Sequence, residues 1–496
     1  MDAAHDDQTI LESGFAAELA RQFETAADAA VSGALRAPAG WQRRRWLVVA
    51  SAAAVLVVVA ALIAVVPSFR SGGGRSPVVA QTSSPFSPTD GRDRSVIRGM
   101  RPPVFNNVTT IVTMGLNATG QPWLSGRLGE AQPSFAAYWS NGSWQQLPMP
   151  AGLKNLRVQV ALSPNDVWAT VAGGLVHWEG SSWQKTSVSW LDEDVASMDA
   201  MAASAADDVW AVRHKAGRLY KTPGDGPGEH TQGQLPATMH WDGSAWSEIA
   251  VPPAPGRSST LWGVSSRDGE AWAVGWYEDK VGELKQAGGG LPLELVHDGP
   301  ITLRWDGKKW VDMAPRNAGG GGTALLAVLV LGPDDVWVLG STSPSNDPNK
   351  NEDLGTYLAH WDGEGWRRLA TPHGPQWGYL TSVGGTADDD LWLGGSSPGG
   401  LGYPETAHWD GQHWTVYGPD SFASDAMASG KQEATVGGSE PTVVAASPTD
   451  VWFNPGFTRF WYSPSSEDQR QVDANASDPM LFHWDGQSWG KVQLGF

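Results

Sequence analysis

The sequence predicts an all-β fold, a seven-bladed β-propeller of four-stranded blades preceded by one transmembrane helix and a short cytoplasmic helical segment. Three observations carry this expectation. The 496 residues include 60 Gly, 34 Pro and 28 Trp, a profile that suits many short strands joined by turns. Two tryptophan signatures alternate from residue 104 onward, with seven copies of each. One long run without any charge lies near the N-terminus, of the length that spans a bilayer.

The first element, residues 1–45, is expected to be cytoplasmic and helical. Leu11, Phe15, Leu19, Phe23, Ala27, Val31 and Leu35 recur every four residues and form an apolar stripe. Such a stripe suits docking on a cytoplasmic protein partner, on a second copy or on the membrane surface. Residues 46–66 (WLVVASAAAVLVVVAALIAVV) have no polar face, which argues against a buried core helix and for a membrane span. Arg43, Arg44 and Arg45 directly precede it, whereas Arg70 and Arg75 follow more sparsely. The positive-inside rule then puts the N-terminus in the cytoplasm and everything after Val66 outside, as a signal anchor does. Residues 67–103 are rich in Pro, Ser and Gly without an apolar period, and read as a flexible linker.

Residues 104–496 hold the repeats. The first signature is a Trp on a short apolar run, usually two residues after an acid: Trp123, Trp168, Trp210, Trp272, Trp337, Trp392 and Trp452. The second is a looser W-[DES]-[GN]-x-x-W, from Trp139/Trp144 through Trp178/Trp183, Trp241/Trp246, Trp305/Trp310, Trp361/Trp366 and Trp409/Trp414 to Trp484/Trp489. In the repeat with the shortest loops, strands are expected at Val158–Leu162, Val167–Val171, Leu175–Trp178 and from Trp183 onward. Ser163-Pro164-Asn165-Asp166 supplies the first turn and Glu179-Gly180 opens the second hairpin. Side chains alternate with period two, so Trp178 and Trp183 share a face and their paired indoles help hold blades together.

Spacing shows where the repeats vary. From a second signature to the next first one the interval is 29 to 32 residues in five cases and 43 in the last, whereas within a repeat it ranges from 10 to 33. Insertions therefore concentrate in the loop between strands 2 and 3. In a four-stranded meander those loops open on the same face as the inter-blade linkers.

These units resemble kelch repeats and the propeller of galactose oxidase. The likeness rests on an apolar strand ending in Gly, as in Trp392-Leu393-Gly394-Gly395, followed by an aromatic-Asp-Gly turn and a further Trp, as in His408-Trp409-Asp410-Gly411-Gln412-His413-Trp414. The resemblance implies the propeller architecture. It does not carry over the oxidase chemistry, because that relative uses a Cys-linked tyrosine and this chain has no Cys.

Composition also limits function. A net charge of −19 lacks the basic footprint of nucleic-acid binding. The absence of cysteine removes thiolate zinc sites, iron–sulfur clusters and thiol nucleophiles. His177, His240, His360, His408 and His483 precede the Trp of the second signature, but equivalent positions in a ring lie in different blades and cannot share one ion. They are expected to make structural hydrogen bonds. Asp347, Asn349, Asn351 and Asp353 imitate the start of a calcium loop, yet Glu352 stands where such a loop needs Gly. No metal or cofactor is expected. No nucleophile elbow, HExxH or phosphate loop is present.

The variable loops on one face are then the expected working surface, at about 213–237, 276–302, 341–357 and 453–480. They offer Trp276, Tyr277, Phe460, Trp461 and Tyr462 as ligand-binding aromatics, with Trp377 on a neighbouring linker. The expected function is a membrane-anchored, extracytoplasmic binding or sensing domain for a glycan, peptide or envelope protein. The alternative is a propeller hydrolase or lyase acting on extracellular polysaccharide.

Overall fold

The computed structural model describes residues 109–494 apart from 129–133, 150–152, 154, 172–173, 187–197, 223–229, 285–292, 316–321, 343–354, 373–378, 397–403, 423–431, 438–439 and 463–476. The segments expected to form the cytoplasmic helix, the membrane span and the linker lie outside the described residues. Within them the chain forms seven four-stranded antiparallel sheets, each a meander, contiguous in the first six; in the seventh, two strands of a further sheet intervene between strands 2 and 3. The seven sheets are the blades of a propeller, with the first strands touching one another around its centre.

In the shortest repeat the strands run Arg157–Ser163, Asp166–Val171, Gly174–Trp178 and Trp183–Thr186, within two residues of the expected bounds. The hairpin between strands 3 and 4 has one construction in blades 3 to 7. Asp242 shows it: Oδ1 accepts the amides of Ser244 and Ala245 at 2.9 Å, and its own amide donates to the Ala245 carbonyl. Gly243 follows with φ 88°, a conformation that L side chains avoid. Asp306, Asp362, Asp410 and Asp485 repeat the same pair of amide bonds. The Asp-Gly pair is thus a turn device, and it brings the flanking tryptophans directly opposite each other, as Trp241 is to Trp246.

The sequence motif also explains how blades are joined. The buried Trp of each second strand is enclosed by the hairpin pair of the next blade. Trp168 lies 5.2 Å from Trp241 and 5.4 Å from Trp246, and Trp210 lies 4.9 Å from both Trp305 and Trp310. Trp272 and Trp392 are held likewise by Trp361/Trp366 and Trp484/Trp489. Trp123 packs with Trp178 and Trp183, and Trp337 with Trp409 and Trp414. Trp452 of blade 7 meets Trp139 and Trp144 of blade 1, which closes the ring. The ring contacts around Trp168, Trp210, Trp272, Trp392 and Trp452 are edge-on or tilted, the arrangements that ring quadrupoles favour, each worth about 0.5–1.5 kcal/mol beyond area burial.

The inner edge of each first strand is left without a ladder partner, and bare amides there are costly. Serines of the preceding blade accept some of them: Ser125 from Val158, Ser265 from Val330 and Ser382 from Val443, at 2.8 to 3.1 Å. Among the described residues no strand is exchanged across the seam between blades 7 and 1. An additional three-stranded sheet, Gln432–Gly437, Phe457–Tyr462 and Ser477–Pro479, touches the first strand of blade 1 and so crosses that seam.

Candidate binding face

Two faces follow from the meander, and they differ in chemistry. The face formed by the 1–2 and 3–4 turns carries a repeated Asp-His-Trp set. His177, His240, His360, His408 and His483 each place Nε2 2.7 to 2.8 Å from the Asp at the start of strand 2. The imidazole lies over the Trp of the same blade, 4.0 Å away at an interplanar angle of 8° for Trp168 and His177. In blades 3, 5, 6 and 7 the same Asp oxygen also accepts the indole N–H. Burial alone would raise the carboxyls of Asp208 and Asp390, but hydrogen bonds from histidine, hydroxyl and indole outweigh it and leave both below the ordinary carboxylate value. An ionised carboxylate only accepts, so these bonds fix the proton on Nε2 of His240 and His408. Among the described residues no group of His and acidic side chains is placed to hold a metal. Each of the five histidines thus makes a hydrogen bond within its own blade.

The opposite face carries the insertions, and in blades 3 and 4 they take a form that the sequence did not suggest. Strands 2 and 3 continue past the blade as paired ribbons: Asp208–Tyr220 with Thr231–Trp241, and Glu270–Leu284 with Leu293–Trp305. The segments expected to be loops at 213–237 and 276–302 are therefore largely β-structure. The start of the first strand of blade 4 lies between the two ribbons and links them. Arg257 reaches Glu278 Oε1 through Nε and Nη2 at 3.0 Å, and its guanidinium lies 4.4 Å above the Tyr220 ring. The Arg257 amide donates to the Glu278 carbonyl, and the Gln234 amide donates to Ser258 Oγ. Both members of the ion pair are largely buried, where charge-assisted bonds are stronger than at the surface.

Each candidate aromatic has a definite position. Trp276 and Tyr277 are strand residues of blade 4, opposite Pro300 and Gly299, and both are half-buried. Tyr277 packs against the core between blades 3 and 4. Phe460, Trp461 and Tyr462 lie on the middle strand of the additional sheet. Trp377 lies outside the described residues.

Two residues that sequence reasoning passed over, Asp199 and Trp262, stand on first strands, and His214 joins one of them from strand 2. In six blades the first strand holds one extra residue near its start, a β-bulge: Val112, Gln159, Asp199, Trp262, Leu326 and Thr381. Trp262 is 38% exposed despite lying on an innermost strand, and has no ring or hydrogen-bond partner among the described residues. Asp199 Oδ2 lies 2.9 Å from His214 Nδ1, with side chains 10% and 9% exposed. This pair uses the other imidazole nitrogen and stands apart from the repeated set. The available signal was register: Trp262 falls about ten residues before Trp272, where no other repeat has an aromatic.

No protein-family model matches the chain. No curated protein matches it either. Among solved structures, a polysaccharide lyase of family PL25, an ulvan lyase, is similar at 8% identity and a TM-score of 0.45, over 79% of this chain and 97% of that one. A puromycin-hydrolyzing peptidase of Mycobacterium tuberculosis is similar at 13% identity and a TM-score of 0.42, over 78% of this chain and 54% of that one, about half its length. YCF48 from Cyanidioschyzon merolae is similar at 12% identity and a TM-score of 0.35, over 73% and 97%. At such identities and TM-scores these likenesses carry nothing about substrate or activity, and the assignment as a seven-bladed propeller rests on the strand order and the closed ring of tryptophans.

Proposed function

We propose that this chain is a single-pass membrane protein whose propeller lies outside the cytoplasm and binds or senses a glycan, peptide or envelope protein. In this reading residues 1–45 are cytoplasmic and dock a protein partner, 46–66 anchor the chain, and 67–103 tether a kelch-like propeller. The observation that carries the binding role is the contrast between faces. One face spends its polar groups on the repeated Asp-His-Trp scaffold, while the other presents long ribbons locked together by Arg257 and Glu278. Ordered projections on a rigid ring are what recognition surfaces are made of. The test is direct: the full chain in lipid nanodiscs is screened against glycans and envelope fractions, and its orientation is read by protease accessibility in intact cells. Cleavage of the propeller only after cell lysis would refute the topology.

A second reading, a hydrolase or lyase acting on extracellular polysaccharide, is favoured by Asp199 and His214. A carboxylate holding an imidazole through Nδ1 is a common way to orient a general acid or base. Incubation of any bound polysaccharide with the full chain, followed by product analysis, distinguishes the readings. Turnover that disappears in His214→Ala supports catalysis; an intact polymer supports binding alone.

A further inference from the structure

We infer that the mouth of the central channel is a binding subsite for one ring of a neutral saccharide, with Trp262 as its stacking platform. This rests on the glycan reading above and deepens it by naming the place and the class of ligand.

The six bulged residues form an ordered series around the channel. Blades 2 and 3 contribute the polar Gln159 and Asp199, and the next two blades contribute the apolar Trp262 and Leu326. A polar arc therefore adjoins an apolar one. Sugars have that same division, with C–H groups on a ring face and hydroxyls at its edge.

The apolar arc is continuous. A Cβ on Gly263, next to Trp262, would come within 3.0 Å of the Leu326 carbonyl oxygen, so the inner strands of blades 4 and 5 run in close contact. Trp262 is the one indole of that arc, and it keeps 38% of its surface exposed on a first strand that touches the first strands of both neighbouring blades. Trp262 belongs to neither repeated signature, whose tryptophans pack between blades.

The polar arc is held in place. Gln159 Nε2 donates to Thr170 Oγ1 at 3.1 Å, and Asp199 is fixed by His214. Fixed side chains bind hydroxyls without further ordering cost. Asp199 is the only ionisable residue among the six. Its negative charge, in a chain of net charge −19, disfavours uronates and sulfated sugars.

The experiment uses the full chain in nanodiscs and a panel of β-linked gluco-, xylo- and galacto-oligosaccharides beside oligouronates, measured by calorimetry. The expected result is binding of a neutral oligosaccharide, about tenfold weaker in Trp262→Leu, as for loss of one aromatic contact. Trp262→Phe, which keeps an aromatic face, should stay within a few-fold of wild type, and matched melting temperatures exclude misfolding. Equal affinity in wild type and Trp262→Leu would overturn the subsite while leaving glycan binding in place. Preferential binding of oligouronates would overturn the neutral class. No binding to any sugar would remove the glycan reading and this inference together.

Discussion

Trp452 and Trp139 lie 5.2 Å apart at 61°, and between them runs the one blade junction that no linker spans. Every other pair of adjacent blades is also joined through the chain, so loss of packing there leaves the blades tethered. At this seam it does not.

Trp452→Ala is therefore expected to cost about 3–5 kcal/mol, as for a fully buried aromatic, and to open the ring locally before global unfolding. Hydrogen exchange checks this. Amides of the first strand of blade 1, Thr109–Leu116, should lose protection well before those of blade 4. The same substitution at Trp272, inside the chain-linked part of the ring, should lower the melting temperature without that selective loss. Equal exchange at the two junctions would contradict the seam argument.

The repeated Asp differs in burial from blade to blade, which gives a graded prediction. Asp390 is 7% exposed and accepts from Trp392, His408 and Thr386, whereas Asp450 is 43% exposed and accepts from Trp452 and His483. Asp390→Ala leaves buried donors without an acceptor and should cost about 2–4 kcal/mol; Asp450→Ala, where water substitutes, should cost about 1 kcal/mol. Urea denaturation of the two variants measures the difference.

Acid should destabilise the propeller through its turns. The Ser244 hydroxyl and the amides of Ala245 and Ser244 hold Asp242 down to about 2, and paired amides lower Asp306, Asp362, Asp410 and Asp485 in the same way. A carboxyl lowered on folding contributes its full stabilisation above its unfolded value and loses it as pH falls through the folded one. The melting temperature is expected to drop as pH goes from 3.8 toward about 2, the interval between the ordinary and folded values of Asp242. A flat profile across that interval would count against the turn device.

Much of the scaffold was legible because each part is local. Asp-Gly between tryptophans dictates a hairpin, and two tryptophans at that spacing share a face whatever lies around them. The strands from Arg157 to Thr186 accordingly fall within two residues of their expected bounds. The working face was less legible. The ribbon segment HKAGRLY of blade 3 has little apolar alternation, and it becomes a strand because backbone pairing continues past the blade and Arg257 ties the two ribbons together. Trp276 and Tyr277, expected on a loop, are likewise strand residues because the pairing of blade 4 continues past the blade. A bulge has no residue signature of its own, so the positions of Asp199 and Trp262 on the inner rim emerge only from strand register.

Blade 4 replaces the repeated Asp and His by Glu270 and Arg304. The guanidinium makes two bonds of 3.2 Å to the two carboxylate oxygens and lies 5.7 Å from the Trp272 ring, where other blades stack an imidazole. The longer acid and the longer base have changed together, which keeps a bonded pair beside the tryptophan. Each is about a quarter exposed, so neither single change leaves a fully buried charge. Arg304→His alone and Glu270→Asp alone should each cost about 1 kcal/mol, because a short partner cannot span the gap left by the other. The double variant restores the pair used in blades 2, 3, 5, 6 and 7, and should recover most of the loss. A double-mutant cycle in urea measures the coupling. Strictly additive losses would mean that Glu270 and Arg304 act independently, and that the exchange in blade 4 is not a substitution of one bonded pair for another.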